Sequence, residues 1–191
     1  MKKYDFKNGD YVVYPTQGVG KLLRSEEIEI SGEKVKMLVI EFEKNNLSIR
    51  VPLDRVEISG LRPITSHKKI MDAIKSAKEK AAARRMLWSR RAAIYEENIN
   101  SGDPMKVAEV IRDLQRRSAT DVPTFSGHQL YLKALDRMAQ EYAAINGIEL
   151  DMATDKIEEI LEIPRDFGLP MEEPAEDESG SVEPETQSRD N

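Results

Sequence analysis

The apolar and polar positions change period once along the chain, near Thr65. Before that point, and after the turn-forming pair Gly9-Asp10, lie YVVY (11–14), VGKLLRSEEIEI (19–30), EKVKMLVIEFE (33–43) and LSIRVPL (47–53). These segments are dense in Val, Ile, Leu and aromatic residues and are separated by turn residues, as short β-strands are. Ser31-Gly32 and Asn45-Asn46 stand where hairpin turns are needed. Four or five strands in about 60 residues are too few for a two-sheet sandwich of ordinary size, so residues 1–62 are expected to curl into a small SH3-like β-barrel.

From Thr65 onward, apolar residues recur at three- and four-residue steps. Ile70, Ala73, Ile74, Ala77 and Ala81 predict an amphipathic helix over 66–82. A second, over 84–99, runs into Asn100-Ser101-Gly102, which stops helices. Asp103-Pro104 offers an N-cap and a first-position proline to a third, with Val107, Val110, Ile111 and Leu114 on one face. Ser126 and Gln129 have capping-box spacing for a fourth helix, which carries Leu130, Leu135, Met138 and Tyr142 and stops at Asn146-Gly147. Ile157, Ile160 and Leu161 mark a fifth over 154–162. Residues 63–165 are thus expected to form a compact bundle of about five α-helices. The fold class is α+β multidomain, a small β-barrel followed by a helical bundle. Residues 166–191 are rich in Glu, Asp, Pro and Ser and have almost nothing to bury, so a disordered acidic tail is expected.

Composition narrows the chemistry. The chain has no cysteine, which removes disulfides, thiol catalysis and most structural zinc sites together. No apolar run approaches the roughly 20 residues needed to cross a bilayer, and MKKYDFKNGDYVV has no signal-peptide character. A soluble, cytoplasmic protein without membrane contact is expected. The net charge of −6 is unevenly spread: residues 1–61 carry 0, residues 62–118 carry +7, residues 119–165 carry −5 and residues 166–191 carry −8. It is the local sign that attracts a polyanion, so the middle of the chain is the part suited to nucleic acid.

Nothing in the sequence supports catalysis. His67 and His128 are isolated and belong to no metal-ligand spacing. TQGVGK (16–21) lacks the spacing of a phosphate loop and lies between strands, so its glycines are read as turn residues. Carboxylates alternate with lysines and arginines, and none lies in an apolar stretch that would raise its pKa. No enzyme activity, cofactor or metal is expected.

The informative stretch is RRMLWSRR (84–91), where the only tryptophan, Trp88, lies between two arginine pairs. On a helix its neighbours three and four positions away are Arg84, Arg85, Arg91 and Ala92. Two arrangements satisfy that spacing. In one, Trp88, Tyr95 and Ile99 form a single face that packs on another helix, with arginine stems covering it. In the other, Leu87, Ile94 and Met86 dock the helix, leaving the indole on a basic surface that can hold phosphates and stack on or wedge between bases. The basic excess of residues 62–118, with Arg112, Arg116 and Arg117 closing the third helix, points to the second. In the β-domain, Arg50 beside Val51-Pro52 lies near the end of a strand. Proline there marks an edge, a plausible docking surface, although pairing to a nearby glutamate is the alternative.

Four ordered motifs, FKNGDYVVYPTQGVGK, SIRVPLDRV, LWSRR and NSGDPMKVAEVIRDLQRR, together resemble the CarD and CdnL-like bacterial transcription regulators over residues 4–162. The resemblance implies a Tudor- or SH3-like N-terminal domain, similar to the polymerase-interacting domain of the transcription-repair coupling factor, that binds the RNA polymerase β subunit. It implies a helical domain that contacts promoter DNA, without sequence readout, at the upstream edge of the transcription bubble. Trp88 would act there as a minor-groove wedge that stabilises the open complex, with Arg90 and Arg91 on the backbone, and Arg84 and Arg85 beside them are read as DNA-binding residues too. Arg50, with its strand neighbours Ile49 and Val51, would contact the polymerase. The protein is expected to act as a monomer, nucleoid-associated through the polymerase. RSEEIEISGEK (24–34) carries glutamates where some relatives are expected to be basic. The alternative function is a protein-only adaptor, docking on the polymerase or another partner, with Trp88 buried in the core.

Overall fold

The computed structural model describes residues 6–30, 32–80, 86–115 and 124–163. Five antiparallel strands come first: β1 (Tyr11–Tyr14), β2 (Gly18–Ile30), β3 (Glu33–Phe42), β4 (Leu47–Pro52) and β5 (Arg62–Pro63). They form one sheet in the order β4-β3-β2-β1-β5, so β4 and β5 are its edges. Val12, Leu22, Leu38, Ile40, Phe42 and Val51 close its buried side together with Val56 and Leu61. Val56 belongs to a single-turn helix, α1 (Val56–Ser59), that the apolar pattern did not predict. The register of β2 on β3 shifts between Leu22 and Arg24, which leaves Leu23 as an extra, exposed residue. Such a bulge bends a strand and sharpens its twist, as a small coiled sheet requires. At the β3–β4 connection a 3-10 turn ends on Asn46 in the left-handed region, a conformation asparagine tolerates.

Helices α2 (His67–Ser76), α3 (Trp88–Ile99), α4 (Pro104–Leu114), α5 (Phe125–Asn146) and α6 (Leu150–Leu161) follow. Each starts where local chemistry allows. Ser66 caps α2 by accepting from the Lys69 amide, and Asp103 caps α4 by accepting from the Met105 amide, with Pro104 behind it. The α5 start corrects the capping-box expectation: the cap is Thr124, which accepts from the Gly127 amide, and Ser126 lies inside the first turn. Helix α5 stops at Gly147, in the left-handed conformation that glycine adopts without cost. Helix α2 is shorter than 66–82, α3 starts at Trp88 rather than residue 84, and α6 starts four residues before 154. Ile70, Ile74, Tyr95, Ile99, Val110, Ile111, Tyr131, Leu135, Met138 and Ile157 lie in the second core, centred on α5. The molecule is therefore α+β, with one core under the sheet and one inside the bundle. Ala81 and the 166–191 tail lie outside the described residues, as do Arg84, Arg85, Arg116 and Arg117.

Candidate nucleic-acid face and docking edge

Trp88 is the first residue of α3, and its environment corrects the expectation that Leu87 anchors the helix. Leu87 is 80% exposed and Met86 is 37% exposed. Trp88 is half-buried and packs against the bundle core, while Tyr95 and Ile99 on the same stripe are fully buried. The core-facing stripe is thus 88-95-99, and Ile94 is only half-buried beside it. The reason is a partner that spacing along α3 cannot reveal. Gly127, in the first turn of α5, lies so close that an added Cβ would be 3.3 Å from Trp88 Cη2. The missing side chain makes the slot for the indole.

The indole keeps an open side, and that side is cationic. The Arg91 guanidinium lies over the ring, with Cζ 5.0 Å from its centroid, within cation–π range. Arg91 Nε is buried and has no hydrogen-bond partner among the described residues. Arg90 is exposed next to it. Leu87 occupies the N-cap of α3 and supplies no side-chain cap, and the first turn holds no acidic residue. The free amides and positive dipole of a helix start therefore add to Arg90 and Arg91. An exposed apolar side chain, the rim of an indole and two arginines share one end of α3. Such a set suits phosphate and base contact without sequence readout.

On the sheet, β4 pairs only with β3, so its outer backbone edge is free among the described strands. Arg50 lies on it with its side chain 54% exposed, and its Nε donates to Glu26 Oε1 at 2.7 Å. Glu26 also receives Arg24. The hydrogen bond from Arg50, with that from Arg24, holds the Glu26 carboxyl below its ordinary range. The pairing weighed as the alternative for Arg50 is thus present, formed with the unexpectedly acidic strand β2. Ile49 is half-buried. Val51 is buried, with 4% of the residue exposed, and belongs to the sheet core. Leu47 and Leu53, exposed at the two ends of β4, were not singled out from the sequence. Leu53 directly follows the proline that ends the strand.

Of the histidines, His67 is exposed and His128 is buried with its ring stacked on Tyr131. Among the described residues no group of three or more His, Asp or Glu could hold a metal ion, and no helix is long and apolar enough to cross a membrane.

The sheet edge and the α3 start are thus one candidate contact face on each of two successive parts of the chain. Residues 6–65 match the CarD-like/TRCF RID domain and residues 69–158 match the CarD C-terminal domain. The chain is also 28% identical to the Bacillus subtilis (strain 168) protein named "Putative transcription factor YdeB", over 75% of this chain and 94% of that protein. With both domain types present in order, the chain belongs to the CarD-like family of transcription regulators, which is not an enzyme family.

Proposed function

We propose that this protein docks on the RNA polymerase β subunit through the β4 edge of residues 1–62 and steadies promoter DNA through the α3 start of residues 63–165. It acts as a monomer in the cytoplasm and prolongs the open complex. The observation that carries this reading is Trp88, seated on Gly127 with its outer side under Arg91 and beside Arg90. A ring braced from behind and charged in front can press on an unstacked base step at little cost in its own order. Tethering through the polymerase raises the local concentration of the DNA face, so that face need not bind tightly alone. Stacking of one base on an aromatic ring contributes on the order of 1 to 3 kcal/mol, which is roughly a ten- to hundredfold change in bubble closure.

The test is the open-complex lifetime on a defined promoter with wild type and Trp88→Ala. Polymerase binding should persist and the lifetime should shorten toward that of polymerase alone. An unchanged lifetime removes the wedge.

The packing of Trp88 against the bundle core favours a second reading, a protein-only adaptor in which the indole is structural. Forked DNA separates the two. Quenching of the single tryptophan on adding it supports the DNA face, and constant emission supports the adaptor.

A further inference from the structure

The two cores meet along a seam that neither contact face uses. Arg62, on β5, lies in it. Its Nη1 and Nη2 donate to Glu141 Oε1 at 2.6 Å and Oε2 at 2.8 Å, and its Nε donates to the Gly102 carbonyl at 2.7 Å. Glu141 Oε1 also accepts from the Thr65 amide at 2.7 Å. The Glu141 side chain is 6% exposed and that of Arg62 is 23% exposed. One bidentate ion pair, with its two backbone contacts, thus joins the last strand of the sheet, the segment leading to α2, the α3–α4 loop and the C-terminal part of α5.

A second layer of contacts follows the same side of α5. Gln140 Oε1 accepts from the Val19 amide at 3.1 Å, Arg137 donates to the Thr16 carbonyl, and Asp136 pairs with Lys44. The β1–β2 turn lies so close that a Cβ on Gly18, whose φ is +92°, would be 2.3 Å from Gln140 Oε1 and 2.4 Å from Arg137 Nη1. The TQGVGK glycine therefore serves two purposes, a left-handed turn and close approach to α5.

Each core is closed by its own apolar residues, and neither includes Arg62 or Glu141. The pair adds charge-assisted hydrogen bonds to that packing. Its distinctive property is direction: a planar guanidinium on a carboxylate tolerates little rotation. Through Gly102 it reaches the loop that directly follows α3, the helix that begins with Trp88.

We propose that Arg62 and Glu141 are positioning residues that fix the α3 start relative to the β4 edge, so that a chain docked on polymerase presents Trp88 at one place on the DNA. This role rests on the function proposed above. With the pair broken, the domains stay joined through residues 63–66, but the DNA face samples many orientations and its effective concentration at the right one falls.

The test uses the full chain with Glu141→Gln and, separately, Arg62→Lys, which keeps the positive charge but loses the bidentate geometry on Glu141. Residual dipolar couplings of the free protein report domain orientation, and open-complex lifetime and polymerase affinity report function. Wild type should fit a single alignment tensor, whereas each variant should need two. Each variant should keep wild-type affinity for polymerase and lose the protein-dependent gain in lifetime by roughly tenfold. A wild-type chain that needs two tensors overturns the proposal, and so does a variant that needs two yet retains the full lifetime. If Glu141→Gln fails to fold, as circular dichroism would show, Arg62→Lys decides alone. A wild-type chain with no effect on lifetime sinks the function reading itself, an outcome distinct from variants that match an active wild type.

Discussion

At Gly127 the absence of one side chain makes room for another, that of Trp88, 39 positions earlier in the chain. A Cβ there would also be 3.0 Å from Thr124 Oγ1, so the substituted position is tight on both sides. Gly127→Ala should push the indole outward, giving redder emission and stronger acrylamide quenching. Helix propensity gains from the same change and offsets part of the strain, so stability should move by no more than about 1 kcal/mol. Fluorescence and thermal unfolding of the single variant check both statements, and an unmoved emission would mean the slot has slack. Arg50 presents the opposite case, a side chain restrained by a charge. Glu26 is an acid with a lowered folded pKa, so the pair is intact at neutral pH and dissolves only as pH falls through that lowered value. Glu26→Gln should free the guanidinium for a partner and raise polymerase affinity at neutral pH by no more than about fivefold, because an exposed ion pair restrains weakly. A pull-down titration that shows weakened binding instead would place Glu26 itself in the contact.

At the scale of elements, what was legible depended on whether the deciding contact was local. The strands and the start of α4 follow from turn residues and from Asp103-Pro104, whose partners lie within three residues, and the Ser66 cap of α2, although not singled out, is equally local. The α5 start was misplaced because Thr124 and Ser126 are both good caps and only backbone geometry chooses between them. The facing of α3 was not legible, since 87-94 and 88-95-99 both satisfy a helical period and the slot at Gly127 breaks the tie. The Arg62–Glu141 pair was invisible for the same reason, being 79 residues apart in the chain. Helix α6 carries a feature of that long-range kind. Burial raises the pKa of Glu158, Asp155 adds to the rise, and Glu158 Oε1 has no hydrogen-bond partner among the described residues. For an acid with a raised folded pKa, the folded state binds the extra proton. The contribution of this carboxyl to stability is therefore greatest at low pH and falls as pH climbs from the unfolded value toward the raised one. Glu158→Gln should remove that slope and raise the melting temperature at pH 7 more than at pH 4.5. Melting curves across that range check it, and equal gains at both ends would show that the carboxyl is not the cause.

At the scale of the whole molecule, the arrangement that suits DNA is opposed by the charge of the chain. A net charge of −6 repels a polyanion at long range, while Arg90 and Arg91 attract it only at the α3 start. Beyond a Debye length of about 8 Å the repulsion is screened at physiological salt, so the opposition should matter most when salt is low. Residues 166–191 carry −8, and removing −8 from −6 leaves +2. A chain ended at residue 165 should therefore bind forked DNA more tightly than the full chain at low ionic strength, with the two converging as salt rises. Local contacts set the slope of log K against log salt, at about −0.9 for each phosphate neutralised. Contacts by Arg90 and Arg91 alone would give the truncated chain a slope of about −2, and engagement of Arg84 and Arg85 as well would bring it to about −4. The full chain should show a shallower slope at low salt, because salt weakens its long-range repulsion while it weakens the contacts. Anisotropy titrations of both chains over a salt series measure these slopes. Identical affinities at the lowest salt would mean that the negative charge of residues 166–191 is too far from the α3 start to be felt there.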